Sequence, residues 1–291
     1  MLDDETKSTI SVSKTYDTLV IGGSSTKGII FLGALQYAYD NFLIKNVNTF
    51  VGTSSGSMIC FFLSIGYSPI EIMVYLCTNQ LFDKDQSFNI VSMIQGGGAC
   101  SYNYIQEHLE KMTIEKIGYL PTLNDIKEKF GKTLVFVTHN FSQDCTEYLS
   151  CDTNPHLPCI TAIRMSSNFP LVFENYKYGE FLYIDGGISD NFAIDTGEKL
   201  GDKILGLYLK SDMYDFSREP NANILEFIYT LIGVPIQQHI EHKIRKINTN
   251  KVKVVGIKTK SKIKAFQFDI SHTVKLELFS EGYEIMKQQF E

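Results

Sequence analysis

A serine between two glycines is the residue of this chain best suited to nucleophilic chemistry. Ser54 stands at the centre of Gly52-Thr53-Ser54-Ser55-Gly56, between a short apolar run and a helical one. In a nucleophile elbow of this pattern the chain turns so sharply from strand to helix that the serine backbone is strained and its hydroxyl is exposed. N–H groups at the helix start can stabilise an oxyanion beside it. The pattern predicts a nucleophile at Ser54, and an ordinary strand-to-helix turn is the alternative.

A second junction of small residues lies upstream and could hold negative charge. Its residues are Gly22, Gly23, Ser24, Ser25, Thr26, Lys27 and Gly28. Several N–H groups in such a loop can bind one anion, either as an oxyanion hole or as a nucleotide phosphate loop. The Walker phosphate loop needs its lysine after the second glycine, whereas Lys27 precedes Gly28, and the dinucleotide pattern Gly-x-Gly-x-x-Gly is incomplete. We therefore favour the oxyanion hole.

A carboxylate at a strand end is the third candidate group. Asp185 passes from a predicted strand into a turn that Gly186 and Gly187 permit. Residues at the carboxyl ends of neighbouring strands in an α/β sheet face one crevice, so Asp185, Ser54 and the upstream loop are expected to meet there. An Asp-Gly turn whose carboxylate bonds its own backbone is the alternative.

Histidines offer a different catalytic arrangement. His239, His242 and His272 all follow Asp185 in the chain. The catalytic triad of α/β-hydrolases has the same chain order, with Ser first, Asp or Glu second and His last. Two of the three histidines lie in a predicted amphipathic helix and the third at a predicted helix start. Because spatial arrangement and not chain order confirms a triad, this hypothesis stays open at the level of sequence.

The elements that must position these residues alternate between strand and helix. Strands are predicted at 18–21, 49–51, 133–137, 145–151, 181–184, 204–209 and 252–257. Helices are predicted after Gly28 to about Phe42, at 55–65, from Pro69 onward, and at 103–116, 122–130, 222–245 and 272–289. Such alternation predicts an α/β fold with a mostly parallel sheet and helices on both faces. No repeat or low-complexity tract interrupts it, so one continuous domain is expected.

Composition limits the class of protein. A chain of 291 residues that is 44% hydrophobic can bury a large core. Its six scattered cysteines lack a Cys-x-x-Cys pair, which predicts free, mostly buried thiols and no metal site. The acidic N-terminus is unlike a secretory signal, and no apolar run approaches about 18 residues. We expect a cytoplasmic protein, at most peripheral at membranes, that binds no cofactor and no nucleic acid.

Basic residues are concentrated in one segment of a chain whose net charge is −6. Residues 243–264 hold nine and no acid: Lys243, Arg245, Lys246, Lys251, Lys253, Lys258, Lys260, Lys262 and Lys264. One interpretation is transient contact with an anionic membrane surface, at roughly 1 kcal/mol per well-placed side chain. The other is a solvated edge strand whose lysines discourage aggregation, which the alternation around Val252 favours.

The loop, the Gly-x-Ser-x-Gly pattern and the Asp-Gly-Gly turn, in this order, resemble the patatin-like phospholipases over about residues 16–209. The segment from Ala162 to Pro170 is similar to that family's Ala-x-Arg-Ala-Ser-Ser-Ala-x-Pro, and Gly-Thr-Ser-Ser-Gly-Ser is similar to patatin-type proteins of large DNA viruses. The resemblance implies a patatin-like three-layer sandwich. Residues 16–209 would be the catalytic domain, 1–15 an N-terminal extension, and 210–291 C-terminal helices and a strand packed on the same domain.

Roles follow from the resemblance for particular residues. It assigns the nucleophile to Ser54, the base to Asp185, and the oxyanion hole to Gly23, Ser24, Ser25, Thr26, Lys27 and Gly28, with Gly52, Gly56, Gly186 and Gly187 as elbow and turn glycines. Lys27 would be a cation that positions the loop. Ser24 and Ser25 stand where the family has glycine; their N–H groups can still donate, but serine disfavours a positive φ.

The main functional hypothesis is therefore a calcium-independent acyl hydrolase of the phospholipase A or lysophospholipase type, acting on phospholipids or lysophospholipids through an acyl-enzyme. One alternative is a catalytically silent lipid-binding or interaction protein with a degraded oxyanion loop. Another is an esterase of small substrates with a Ser-Asp-His triad. The sequence does not show whether a lid covers the site, and the stretch Phe82–Tyr102, which contains the glycines at 96–98, is the place to look for one.

Overall fold

The computed structural model describes residues 15–79, 92–93, 98–210, 224–261, 263, 267 and 269–291. The strands are β1 Thr18–Ile21, β2 Thr49–Thr53, β3 Thr133–Asn140, β4 Cys145–Ser150, β5 Tyr176–Tyr178, β6 Phe181–Asp185, β7 Ile204–Leu209 and β8 Val252–Ile257. The helices are α1 Ile29–Asp40, α2 Ser55–Ser64, α3 Pro69–Thr78, α4 Asn103–Ile117, α5 Leu123–Phe130, α6 Cys159–Ser167, α7 Gly187–Asp190, α8 Ile194–Leu200, α9 Ile224–Ile244 and α10 His272–Phe290.

The described strands form one mixed sheet. Its order is β5-β6-β3-β2-β1-β7-β8, and β4 pairs with β3. The pairs that join β3, β2, β1, β7 and β8 are parallel, whereas β4 and β6 are antiparallel to β3 and β5 is antiparallel to β6. The prediction of an α/β fold with a mostly parallel sheet is confirmed, with the antiparallel pairs gathered at one end.

Alternating side chains along the strands build a core on each face of the sheet. In β1, Leu19 and Ile21 pack with helices α1, α2, α6 and α10, whereas Val20 packs with α8 and α9 on the opposite face. Successive residues of a strand point to opposite faces, so one short apolar strand serves both layers. The predicted three-layer arrangement follows from this alternation.

One edge of β3 serves two partners in succession. Strand β2 pairs with residues 133–137 and ends at Thr53, opposite Val137. Strand β6 runs in the opposite direction along 138–140 and ends at Asp185, opposite Thr138. Because β4 overlaps both of these stretches, it occupies the other edge. Strands β2 and β6 therefore approach each other end to end, and their last residues are neighbours.

Helix starts follow local capping signals. The Ser68 side chain accepts the Glu71 N–H while the Glu71 carboxylate accepts the Ser68 N–H, and Thr122 and Asp125 do the same at α5. Such capping boxes satisfy N–H groups that have no acceptor inside the helix. The predicted start of a helix at Pro69 is confirmed, whereas α1 ends at Asp40 and is two residues shorter than predicted.

Helix α6 is one of the described elements that the sequence pattern failed to indicate, together with β5, α7 and α8. Its stretch Cys-Ile-Thr-Ala-Ile-Arg-Met-Ser-Ser is rich in β-branched and serine residues, which have modest helix propensity. Eight of its nine residues are buried, including Arg164 and both serines. Tertiary packing therefore outweighs propensity here.

The C-terminal segment joins the same sheet. Strand β8 pairs with β7, and α10 packs closely on α1, where a Cβ on Gly33 would overlap the backbone of Phe279. A Cβ on Gly282 would likewise overlap the carbonyl oxygen of Ile30. These glycines let the two helix backbones touch. The division of the chain at residues 15 and 209 stays a prediction.

Among the described helices, none taken singly has the length and apolar character needed to cross a membrane. The pair α2 and α3 meets the length and composition criterion only when taken together, and the two helices are bent by 120° relative to each other. All six cysteines are free, but only Cys60 and Cys159 are fully buried and Cys145 is exposed, so the expectation of mostly buried thiols was too strong.

Candidate active site

Ser54 occupies a sharp turn between β2 and α2. Its φ of 54° and ψ of −126° lie in a region that residues other than glycine rarely adopt. A Cβ on Gly56 would overlap the carbonyl oxygen of Ile21, so the helix passes against β1 only because this position is glycine. Gly52 is crowded in the same way by the backbone of Ser57. The strained serine and its two glycines have the geometry of a nucleophile elbow.

The Ser54 hydroxyl donates to the Asp185 carboxylate. The Ser54 Oγ to Asp185 Oδ2 distance is 2.6 Å, and the Gly187 N–H donates to the other carboxylate oxygen at 2.7 Å. Asp185 is only 2% exposed. Burial raises the pKa of this carboxyl to about 7, against the opposing effect of the hydrogen bonds from Ser54 and Gly187. A base with a pKa near neutrality is better matched to proton transfer at physiological pH than an ordinary aspartate with a pKa of about 3.9.

Helix α6 supplies the backbone that supports this pair. The Ser166 hydroxyl accepts the Ser54 N–H at 3.0 Å, and the Ser166 carbonyl accepts the Gly186 N–H at 3.1 Å. The Asn168 carbonyl accepts the Asp185 N–H at 3.0 Å. Ser166 thus contacts both the elbow and the turn after Asp185. Its position in the segment from Ala162 to Pro170 was noted in the sequence, but its contact with Ser54 could not be read from any pattern.

The turn after Asp185 is held against β3. A Cβ on Gly186 would overlap the carbonyl oxygen of Val137, which explains a glycine directly after the carboxylate. Helix α7 begins at Gly187 and ends at Asp190, whose N–H donates to the Gly186 carbonyl at 2.8 Å. Asp185 and the Gly187 N–H that its carboxylate accepts therefore belong to one tight turn.

The upstream loop forms a 3₁₀ turn at Ser25–Gly28 that continues into α1. Ser25 has a φ of 52°, so serine adopts the left-handed conformation that glycine would take without strain. Thr26, Lys27 and Gly28 complete the turn, and Gly28 is buried. The backbone at Ser25 thus has the left-handed conformation that is usual for glycine, the residue that the family has at this position.

Ser24 joins the loop to the elbow. Its N–H donates to the Ser55 hydroxyl at 3.1 Å, and the two hydroxyl oxygens lie 3.0 Å apart. The Gly23 N–H donates to the Asn191 carbonyl, and the Asn191 side-chain amide donates to the Gly23 carbonyl, both at 3.1 Å. The N–H groups of Gly23 and Ser24 thus already have acceptors within the protein, so neither donates to the predicted oxyanion position in this structure.

Arg164 anchors the segment that follows α6. Its guanidinium is 2.9 Å from the Glu174 carboxylate and lies over the ring of Tyr102, 3.9 Å from the ring centroid. The Tyr102 hydroxyl lies 2.6 Å from the hydroxyl of Ser167. Burial lowers the pKa of Arg164, while the charge of Glu174 opposes this. These contacts connect α6 to Tyr102 and to Glu174.

The stretch Phe82–Tyr102, named as the place to look for a lid, lies mostly outside the described residues. Its described end is tied to the segment after Pro170, since the Ala99 N–H donates to the Leu171 carbonyl and the Cys100 N–H to the Val172 carbonyl.

The three histidines of the alternative triad do not hydrogen-bond to Ser54 or Asp185. His239 and His242 are exposed in α9, and His272 is exposed at the start of α10. Both carboxylate oxygens of Asp185 are instead engaged by Ser54 and Gly187. Among the described residues, no group of three or more His, Cys, Asp or Glu is arranged to hold a metal ion.

The basic segment 243–264 does not form one continuous surface. Lys243 is nearly buried between two carboxylates, 2.7 Å from Asp190 and 2.5 Å from Asp195. Lys251 pairs with Asp202 at 3.1 Å. Strand β8 lies at the end of the sheet order, as the edge-strand interpretation predicts. Including Lys243 in a solvent-facing strip was wrong, because its ammonium group points to α7 and α8. Lys262 and Lys264 lie outside the described residues.

Comparison with known proteins decides the family. The patatin-like phospholipase family profile matches residues 19–196, more than half of the chain. This chain belongs to the patatin-like phospholipase family. The match contains the loop, the elbow and the Asp185 turn, so the family resemblance seen in the sequence is confirmed.

Relatives of this patatin-like chain occur in large DNA viruses. A probable lipid hydrolase, 463L, of invertebrate iridescent virus 6 is 35% identical over 196 residues, which cover 65% of this chain and 66% of the relative. The uncharacterized protein R571 of Acanthamoeba polyphaga mimivirus is 25% identical over 99% of this chain and 98% of its own length. The crystal structure of VipD from Legionella pneumophila matches the fold with a TM-score of 0.52 at 13% identity, over 94% of this chain and 66% of that one.

Proposed function

We propose that this patatin-like protein is a lipid acyl hydrolase in which Ser54 is the nucleophile and Asp185 the base. The hydrogen bond of 2.6 Å between the strained Ser54 and the buried Asp185 carries the proposal. Family membership and a relative described as a probable lipid hydrolase support a lipid ester as substrate. Phospholipids and lysophospholipids, cleaved by an enzyme of the phospholipase A or lysophospholipase type, are the proposed class.

In the proposed reaction the Ser54 oxygen attacks the ester carbonyl while its proton passes to Asp185. The oxyanion is held by N–H groups of the loop at Ser25–Gly28 and of the start of α2. When the intermediate collapses, the ester C–O bond breaks and the leaving alcohol takes the proton from Asp185. Asp185 then deprotonates water, which attacks the acyl-enzyme; the fatty acid leaves and the proton returns to Ser54.

Labelling and hydrolysis together test this proposal. A fluorophosphonate probe is expected to modify wild-type protein at Ser54, because an unactivated serine resists it. Hydrolysis of phosphatidylcholine and lysophosphatidylcholine vesicles should fall at least about 1,000-fold in Ser54→Ala and in Asp185→Asn, the scale seen when a nucleophile or its base is removed. Ser64→Ala at the last residue of α2 and Asp202→Asn on the surface are the matched controls and should retain activity.

Each alternative predicts a different result. A catalytically silent lipid-binding protein would bind the vesicles but resist the probe. A Ser-Asp-His esterase would lose hydrolysis of small esters on His242→Ala or His272→Ala and tolerate Asp185→Asn. Activity that survives both Ser54→Ala and Asp185→Asn would refute the assigned roles.

A further inference from the structure

A nearly buried lysine of α9 contacts the turn that follows the proposed base. The Lys243 ammonium lies 2.7 Å from Asp190 and 2.5 Å from Asp195, and its side chain is 12% exposed. The Tyr148 hydroxyl donates to the same Asp190 oxygen at 2.8 Å. Lys243 lies beyond residues 19–196, so the family match gives it no role.

Asp190 sits where the three proposed catalytic segments meet. Its carbonyl accepts the Thr53 hydroxyl at 3.1 Å, next to the nucleophile. The first residue of the same helix, Gly187, donates its N–H to the Asp185 carboxylate. Asn191, which directly follows Asp190, exchanges two hydrogen bonds with Gly23 of the oxyanion loop. A displacement of this turn would thus move nucleophile, base and loop relative to one another.

Helix α7 cannot hold this position by itself. It has four residues, and the first turn of any helix is unfavourable without outside support. Its outer end is fixed by the Asp190 carboxylate, which is 2% exposed and therefore requires a partner charge. Lys243 supplies that charge from α9, and Asp195 connects the same ammonium to α8.

We propose that Lys243 is a positioning residue for the Ser54–Asp185 pair: by holding Asp190 it fixes the turn that aligns nucleophile, base and oxyanion loop. The inference rests on the proposed function, and it makes the segment that carries α9 necessary for efficient catalysis.

The test compares two lysines that each join neighbouring elements. Lys243→Met removes the ammonium and keeps the aliphatic stem. Lys116→Met is the matched control, since Lys116 pairs with Glu71 at 3.0 Å and links α4 to α3 away from the site. In vesicle hydrolysis, kcat of Lys243→Met should fall roughly 10- to 100-fold with KM nearly unchanged, the scale expected of a small misplacement of catalytic groups. Fluorophosphonate labelling of Ser54 should slow in parallel, and Lys116→Met should match wild type in both assays.

A double variant separates positioning from mere stability. Asp190→Asn combined with Lys243→Met removes both charges of the pair, so the thermal midpoint of the double variant should recover toward wild type. The double variant can therefore be tested even where Lys243→Met does not fold. A kcat that stays low in the folded double variant supports positioning. If kcat recovers together with the thermal midpoint, or if Lys243→Met is labelled as fast as wild type, the inference about Lys243 is overturned and the proposed function still stands. A wild type that resists labelling refutes the proposed function, and this inference with it.

Discussion

Asp185 should make the stability of this protein depend on pH in an unusual direction. Burial raises the pKa of its carboxyl to about 7 in the folded protein, whereas an unfolded aspartate titrates at about 3.9. Between these values the folded state binds a proton that the unfolded state has lost, so this group's contribution to stability falls as pH rises. The contribution is fully present below about pH 4 and is lost once pH passes about 7.

The size of the effect follows from the two pKa values. Each pH unit between them costs about 1.4 kcal/mol, which sums to about 4 kcal/mol from pH 4 to pH 8. Asp185→Asn removes the titrating group and leaves the other titrating groups in place. The free energy of unfolding of the variant, minus that of wild type, should therefore increase by about 4 kcal/mol over this range.

Urea unfolding of both proteins at intervals between pH 4 and pH 8 measures this difference. The same carboxyl must be ionised to accept the Ser54 proton, so kcat/KM of wild type is expected to rise with pH with a midpoint near pH 7. A stability difference that stays flat across the range would refute the assignment of a buried, proton-binding Asp185. A kcat/KM that is already maximal at pH 5 would argue against its role as the base.

Two further substitutions probe how the site is held. Ser25→Gly should raise the free energy of unfolding by about 0.5 kcal/mol. Glycine adopts the φ of 52° without strain, and this gain exceeds the larger backbone entropy that glycine loses on folding. A variant that is less stable than wild type in urea unfolding would contradict this. Ser166→Ala removes the acceptor of the Ser54 N–H, so it should cost about 1 kcal/mol in stability and lower kcat about tenfold. A Ser166→Ala enzyme with wild-type kcat in steady-state assays would show that this hydrogen bond does not position the nucleophile.

The local signals of the site were readable because each needs a particular residue type at a fixed spacing. Gly52, Ser54 and Gly56 predict a strained turn, since only glycine permits the close approach of backbone on either side. The family resemblance then paired Ser54 with Asp185. Contacts such as that of Ser166 were not readable, because a side-chain hydroxyl on a helix of low propensity carries no periodic signal.

The reason that Ser54 and Asp185 meet also differs from the sequence argument. Parallel strands whose carboxyl ends share one edge were expected to bring them together. Instead β6 is antiparallel to β3 and meets β2 end to end, so the two residues approach from opposite directions. The register of β2 and β6 along β3 thus brings Ser54 and Asp185 together as expected, but not through the carboxyl ends of parallel strands.

By itself the sequence determined the α/β class, the elbow, the Asp-Gly-Gly turn and the family, because these depend on local backbone conformation and residue order. Only the tertiary structure decided which groups share hydrogen bonds and which charges are buried. Lys243 shows the difference: in the sequence it belongs to a basic segment, but in the fold it is held between Asp190 and Asp195. Burial and charge pairing depend on residues far apart in the chain, and spacing along the chain does not encode them.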